Sequence, residues 1–179
     1  GDLLDDLVKN FDKEDVAILE NEGLPHISIV GKPNVGKSSL LNEFVGEKLA
    51  IINAKAQTTR HRIFGIYNDE EYQIVFSDLP GVIKPAYKMQ ESMMGFVKES
   101  IVDADVLIYM ISIEEKQIKD QALVDRIKKL KIPLLVLLNK IDTSDQKELE
   151  TAVQEWSAIF PNAKVIPISA LTGFFVQEL

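Results

Sequence analysis

The string Gly31-Lys32-Pro33-Asn34-Val35-Gly36-Lys37-Ser38 fits the pattern G-x-x-x-x-G-K-[ST] and constrains this chain more than any other stretch. Two glycines let a backbone curl until several N–H groups point at one centre. The apolar run His26 to Val30 precedes the string, and helical sequence follows from Lys37 to about Phe44. A strand, a tight loop and a helix N-terminus together make an anion seat. The expected ligand is a nucleotide phosphate chain. Lys37 would neutralise β- and γ-phosphate charge, the Ser38 hydroxyl would ligate Mg²⁺, and Ser39 could reach the α-phosphate.

A loop of this kind needs a parallel sheet behind it, and the remaining pattern supplies one. Segments 63–67 and 72–76 read as strands joined by the polar turn Asn68-Asp69-Glu70. Segments 105–113 and 133–138 are continuous apolar runs, as expected of strands buried on both faces, and 165–169 is a last strand. Helical periodicity covers 118–130 and 145–159. The expected class is α/β: a P-loop nucleoside-triphosphatase (NTPase) domain with a mostly parallel six-stranded sheet, one antiparallel edge strand and helices on both faces. That domain is expected over 25–179. Before it, Leu3, Leu4, Leu7, Val8 and Phe11 recur at helical spacing, and 12–22 is acidic, so 1–24 reads as an amphipathic helix and linker.

Two further strings fall where ligands of open α/β sheets bind, beyond the carboxyl ends of strands. Asn139-Lys140-Ile141-Asp142 follows the strand 133–138. A carboxylate there can accept from guanine N1–H and the 2-amino group, a pair that adenine lacks, so Asp142 is expected to select guanine. Lys140 can lie along the base plane, and Asn139 can tie this loop to the phosphate loop. Ser169-Ala170-Leu171 ends the last strand, where the Ala170 N–H could donate to guanine O6. Asp78-Leu79-Pro80-Gly81 follows the strand 72–76; Asp78 can hold Mg²⁺ through water, and the Gly81 N–H can sense the γ-phosphate.

Composition limits the partners. The net charge of −8 makes the chain a poor general binder of nucleic acid. With no cysteine it can form neither disulfides nor thiolate metal sites, which suits a reducing cytoplasm. No apolar run is long enough to span a bilayer.

Taken in order, the P-loop, Thr58-Thr59, Asp78 to Gly81, Asn139 to Asp142 and Ser169-Ala170 resemble the five boxes of the translation-factor-like GTPases. Lys55-Ala56-Gln57-Thr58-Thr59-Arg60-His61-Arg62 and Gly81-Val82-Ile83-Lys84-Pro85 narrow the resemblance to the bacterial Era family over about 25–179. It implies a GTP/GDP-binding, GTP-hydrolysing switch of ribosome assembly. It also implies a switch threonine for Mg²⁺, Thr59 ahead of Thr58; residues 48–61 around it lack clear periodicity and read as a mobile loop. The implied partner is the small ribosomal subunit or its rRNA, reached through a KH-type RNA-binding domain absent from this sequence, whose end at Leu179 is read as just inside a final helix. In potassium-dependent members of the class a P-loop asparagine ligates K⁺; Asn34 matches that position, and Val82 stands where Ras-type proteins have the water-orienting glutamine. The resemblance therefore implies slow, potassium-stimulated hydrolysis, with Lys37, Asn34, Thr59 and Gly81 as the catalytic set.

Two departures stand beside it. Leu79 occupies the place of the usual threonine of the third box. Residues 1–44 resemble the tandem Der (EngA) family, with Gly1-Asp2-Leu3-Leu4-Asp5 like the end of its first G domain and 12–24 like its linker. The alternatives are thus a module of a Der-type tandem GTPase, a GTP-locked scaffold that does not hydrolyse, and a small-molecule P-loop kinase, which Asn139 to Asp142 argues against. His26 is read as structural, Trp156 as core with Val153 and Phe160, and the cluster Arg126, Lys128, Lys129 and Lys131 as complementing a helix dipole. The segment 87–94, with Met89, Met93 and Met94, is read as a helix packed on the sheet.

Overall fold

The structure is a computed structural model, and it describes residues 24–46, 62–68, 73–115, 121–176 and 179. The helix and linker expected over 1–24 fall almost wholly outside the described residues, as do Thr58, Thr59 and the rest of the loop 48–61.

The strands are β1 (His26–Gly31), β2 (Ile63–Asn68), β3 (Gln73–Asp78), β4 (Val106–Ser112), β5 (Leu134–Asn139) and β6 (Lys164–Pro167). The helices are α1 (Lys37–Val45), α2 (Lys88–Asp103), α3 (Gln121–Lys128) and α4 (Gln146–Ile159). The six strands form one sheet in the order β2-β3-β1-β4-β5-β6. Among the described residues β2 pairs antiparallel with β3, and the other pairings between these six strands are parallel. The expected architecture is therefore present.

The apolar runs explain why both faces are covered. Along β4, Leu107, Tyr109 and Ile111 point to one side, and Ile108 and Met110 to the other. The first set packs on α2, α3 and α4 through Met93, Val97, Ile101, Val124, Ile127 and Trp156. The second packs on α1 through Leu40 and Leu41. Trp156 is core as read from sequence, stacked on Phe160 with ring centroids 6.4 Å apart and edge-on to Tyr109.

Several boundaries differ from the sequence reading. β3 runs on to Asp78 because Phe64 and Ile63 continue the ladder opposite Ser77 and Asp78. β6 stops at Pro167; Ser169 instead makes an isolated bridge to Phe174. α2 extends to Asp103, well beyond the expected 94, because Met93, Val97 and Ile101 put one apolar stripe at a four-residue spacing against the sheet. α4 starts where Asp145 caps it, its carboxylate accepting from Glu148 N–H at 2.8 Å. Residues 170–176 form turns, and residues 177 and 178, where the final helix is expected, lie outside the described residues.

His26 is buried and structural, as expected. Its ring contacts the Ser77 hydroxyl and accepts from the Arg62 guanidinium, which also sits 4.7 Å over the Phe64 ring. Arg62 lies 3.7 Å from Asp103, and Asp105 accepts from the His26 N–H at 2.8 Å. Burial, then the Arg62 charge, holds the His26 pKa below its ordinary value against the pull of Asp103 and Asp105.

Candidate functional site

The P-loop, Asp78 to Gly81, Asn139 to Asp142 and Ser169-Ala170 leave the sheet at the carboxyl ends of β1, β3, β5 and β6, so the parallel topology brings them to one edge. The loop Lys32–Gly36 joins β1 to α1. Its tight path needs left-handed backbone at Asn34 (φ 62°) and at Gly36 (φ 104°). Asparagine tolerates that region better than most side chains, so Asn34 serves turn geometry whatever else it does. At Gly36 a Cβ would fall on the Asn139 amide nitrogen.

Lys37 is buried, and its ammonium donates to the Gly31 carbonyl at 3.2 Å and the Lys32 carbonyl at 2.8 Å. Burial pulls its pKa down to about 8, and the Asp78 carboxylate opposes that. The Ser38 hydroxyl donates to Asp78 Oδ2, although the two residues are 40 positions apart. Ser39 lies in the first turn of α1.

A hydroxyl and a buried carboxylate that already touch are hard oxygen donors of the kind Mg²⁺ takes, so Ser38 and Asp78 fit that ion. The Asn34 amide oxygen, on the loop's left-handed turn, is a neutral hard donor that suits K⁺ in its chemistry. The string after Asp78 packs under the P-loop. Leu79 is fully buried, Pro80 and Gly81 are buried, and Val82 packs against the core while its N–H donates to the Gly31 carbonyl at 2.9 Å.

Asn139 is the joint of the site. Its side-chain amide donates to the Val35 carbonyl at 2.7 Å, and its Oδ1 accepts from the Ala170 N–H at 2.9 Å. The tie to the phosphate loop is the one expected from sequence. The tie to Ala170 differs from expectation, because the N–H assigned to guanine O6 is engaged by Asn139. Ser169 Oγ donates to Asp142 Oδ1 at 2.6 Å, which orients the carboxylate expected to read the base. Lys140 has φ 65°, which throws its side chain off the strand direction, and Leu171 is 85% exposed.

Two residues missed in the sequence complete the edge. Glu115 forms an ion pair with Lys32, and Glu114 lies 3.6 Å from Lys140. They follow β4, whose exit faces the same edge as the other loops; that position is the signal that could have found them. Among the described residues no group of His, Asp and Glu could by itself hold a metal ion, and no helix is long and apolar enough to cross a membrane.

Comparison with known proteins agrees with this geometry. Residues 26–140 match the family described as 50S ribosome-binding GTPase. GTPase Era of Clostridium kluyveri is 40% identical over 154 residues, covering 86% of this chain and 53% of that protein. The chain thus spans about half the length of the curated relatives it matches. A crystal structure of Era with MgGDPNP and nucleotides 1506–1542 of 16S ribosomal RNA superposes with TM-score 0.81 at 38% identity, over 87% of this chain and 54% of that one. An Aquifex aeolicus Era variant bound to GDP·AlF4⁻ gives the same score at 39% identity and the same coverage.

Proposed function

We propose, for a chain that belongs to the 50S ribosome-binding GTPase family, a GTP-binding and GTP-hydrolysing switch of the Era type. One observation carries the reading: Asn139 hydrogen-bonds the P-loop on one side and the Ser169–Ala170 turn on the other, so phosphate and base loops form one seat. A phosphate-binding loop alone would fit many nucleotide enzymes. A phosphate loop rigidly joined to a carboxylate aimed by Ser169 fits a guanine nucleotide.

The roles follow from the chemistry. Lys37 exchanges two backbone carbonyls for phosphate oxygens, an anion that also relieves the burial of its charge. Ser38 and Asp78 would hold Mg²⁺, which supplies charge neutralisation on the phosphates. Asp142 accepts from the guanine edge. The Gly81 N–H would sense the γ-phosphate, with Thr59, or Thr58, completing the metal shell. Val82 has no side-chain donor or acceptor, so it cannot orient the attacking water. A K⁺ ion on Asn34 would supply transition-state charge stabilisation, giving slow hydrolysis that potassium accelerates.

A cytoplasmic setting suits a chain without cysteine. The relatives named Era support a ribosomal RNA partner, since one Era structure holds 16S ribosomal RNA. The −8 charge makes this chain's own surface a poor RNA contact. The relatives favour Era over the Der-type alternative.

The test is Asp142→Asn with fluorescent GDP and xanthosine diphosphate. Losing charge-assisted hydrogen bonds should cost about 1.5–3 kcal/mol, roughly ten- to a hundredfold in GDP affinity, with the preference moving to xanthine. Unchanged GDP affinity would remove Asp142 from the base site.

A further inference from the structure

The turn after β4 sits between the two nucleotide loops because of strand order. β4 lies between β1, which feeds the P-loop, and β5, which feeds the base loop. Its exit is therefore flanked by both. The turn is fixed to the sheet: the Ile113 N–H donates to the Asn139 carbonyl at 2.9 Å, and the Glu115 N–H to the Ser112 carbonyl at 2.9 Å. Ser112 Oγ also lies 3.4 Å from Glu114 N and from Glu114 Oε2. Two adjacent carboxylates stand on this anchored turn, and each meets a lysine from a different loop.

We propose that Glu114 and Glu115 are positioning residues of the nucleotide site, Glu114 holding Lys140 for the base and Glu115 holding Lys32 beside the phosphates. The inference rests on the guanine-nucleotide reading above and deepens it. A lysine carries large rotamer entropy, and a side chain already held loses less of it when a ligand arrives. Lys140 has a left-handed backbone that fixes where its stem begins, and Glu114 restrains where its ammonium ends. On the other side, Lys32 lends its carbonyl to the Lys37 ammonium while its own ammonium is neutralised by the largely buried Glu115. That pair contributes no net charge beside the phosphates. Removing the carboxylate alone would leave an extra positive charge there.

The two carboxylates therefore leave different signatures. Glu114→Gln should weaken GDP and GTP by the same factor, about two- to fivefold, because the base is common to both. The effect should shrink as salt rises, since Lys140 and Glu114 are partly exposed. Glu115→Gln should change the ratio of GTP to GDP affinity in favour of GTP, whose extra phosphate meets the released charge. The double variant Lys32→Gln/Glu115→Gln, which removes both charges, should return that ratio to the wild-type value.

The experiment is stopped-flow association and dissociation of fluorescent GDP and GTP with wild type, both single variants and the double variant, alongside thermal unfolding of each. A merely structural role would lower stability in both single variants, weaken both nucleotides in Glu115→Gln without moving their ratio, and give a loss in Glu114→Gln that does not shrink as salt rises; that result, or variants indistinguishable from wild type, overturns the inference. Wild type that binds no guanine nucleotide overturns the proposed function and this inference with it. Binding by wild type with an unmoved ratio in Glu115→Gln overturns the inference alone.

Discussion

Replacing Asn139 by alanine tests whether one side chain joins the two halves of the site. Asn139 is 3% exposed, and its two partners are on Val35 at 3% and Ala170 at 4%. Truncation leaves the Val35 carbonyl and the Ala170 N–H without their side-chain partner in a nearly dry joint. Each orphaned buried group costs about 1–3 kcal/mol. Both together set an upper range of about 2–6 kcal/mol, and a water entering from the nucleotide side trims it to about 2–4 kcal/mol. For a domain of this size that is a fall in Tm of roughly 5–15 °C. The assay is chemical denaturation of the nucleotide-free protein, followed by GDP titration at a temperature where the variant is still folded. Affinity should fall as well, because the base loop and the P-loop no longer share a fixed spacing. A stability loss below about 0.5 kcal/mol, the scatter of ordinary surface changes, would refute the joint. So would a large stability loss with GDP affinity intact, which would make Asn139 a core residue and not a link between ligand loops.

Gly81→Ala would put a Cβ 2.5 Å from the Pro33 nitrogen, a backbone atom that cannot swing aside, so it should destabilise the nucleotide-free fold by about 1–3 kcal/mol; wild-type denaturation midpoints would refute the packing. His26 has a folded pKa below its unfolded value, so the folded state resists its protonation. Stability is then fully present above the unfolded pKa and falls as pH drops through it toward the lowered folded pKa. His26→Gln should remove that part of the acid slope, and identical slopes would show that His26 does not titrate on unfolding. Steady-state phosphate release should be faster in KCl than in NaCl at equal ionic strength, and Asn34→Ala should lose most of the difference while still binding GTP. Equal rates in the two salts would leave Asn34 a turn residue.

What the sequence made legible follows the physics of each signal. The P-loop, Asp78 and Asn139 to Asp142 were readable because each is a short string whose backbone demands are local. Strand and helix positions came from periodicity, which is also local. The ends were less legible: β3 reaches Asp78 only because Ile63 lies opposite, and α2 runs to Asp103 because the sheet buries its stripe. No local pattern encodes such partners. The same reason hid the Ala170 contact. From sequence its N–H is a free donor facing a ligand, and only the crossing of Asn139 from 31 residues away shows that it is engaged. Glu114 and Glu115 were invisible in kind, since a pair of acidic residues after a strand reads as a solvated loop. Their meaning depends on strand order, which no single motif carries.

Strand order also explains why Asn139 must do what it does. The P-loop leaves β1 and the base loop leaves β5, with β4 between them, so the two loops are not sheet neighbours. A tie between them has to pass across the exit of β4, and the side chain that makes it spans 104 residues of sequence. The space it crosses exists because position 36 has no Cβ; any other residue there would occupy the Asn139 amide's place. Gly36 therefore has two separate requirements, a left-handed φ of 104° for the phosphate loop and an open path for the base loop. Asparagine at position 34 adopts only the milder left-handed φ of 62°, and at position 36 it would meet the Asn139 amide as well. The last glycine of the phosphate motif therefore bears on the proposed base site through Asn139, as well as on the phosphate loop.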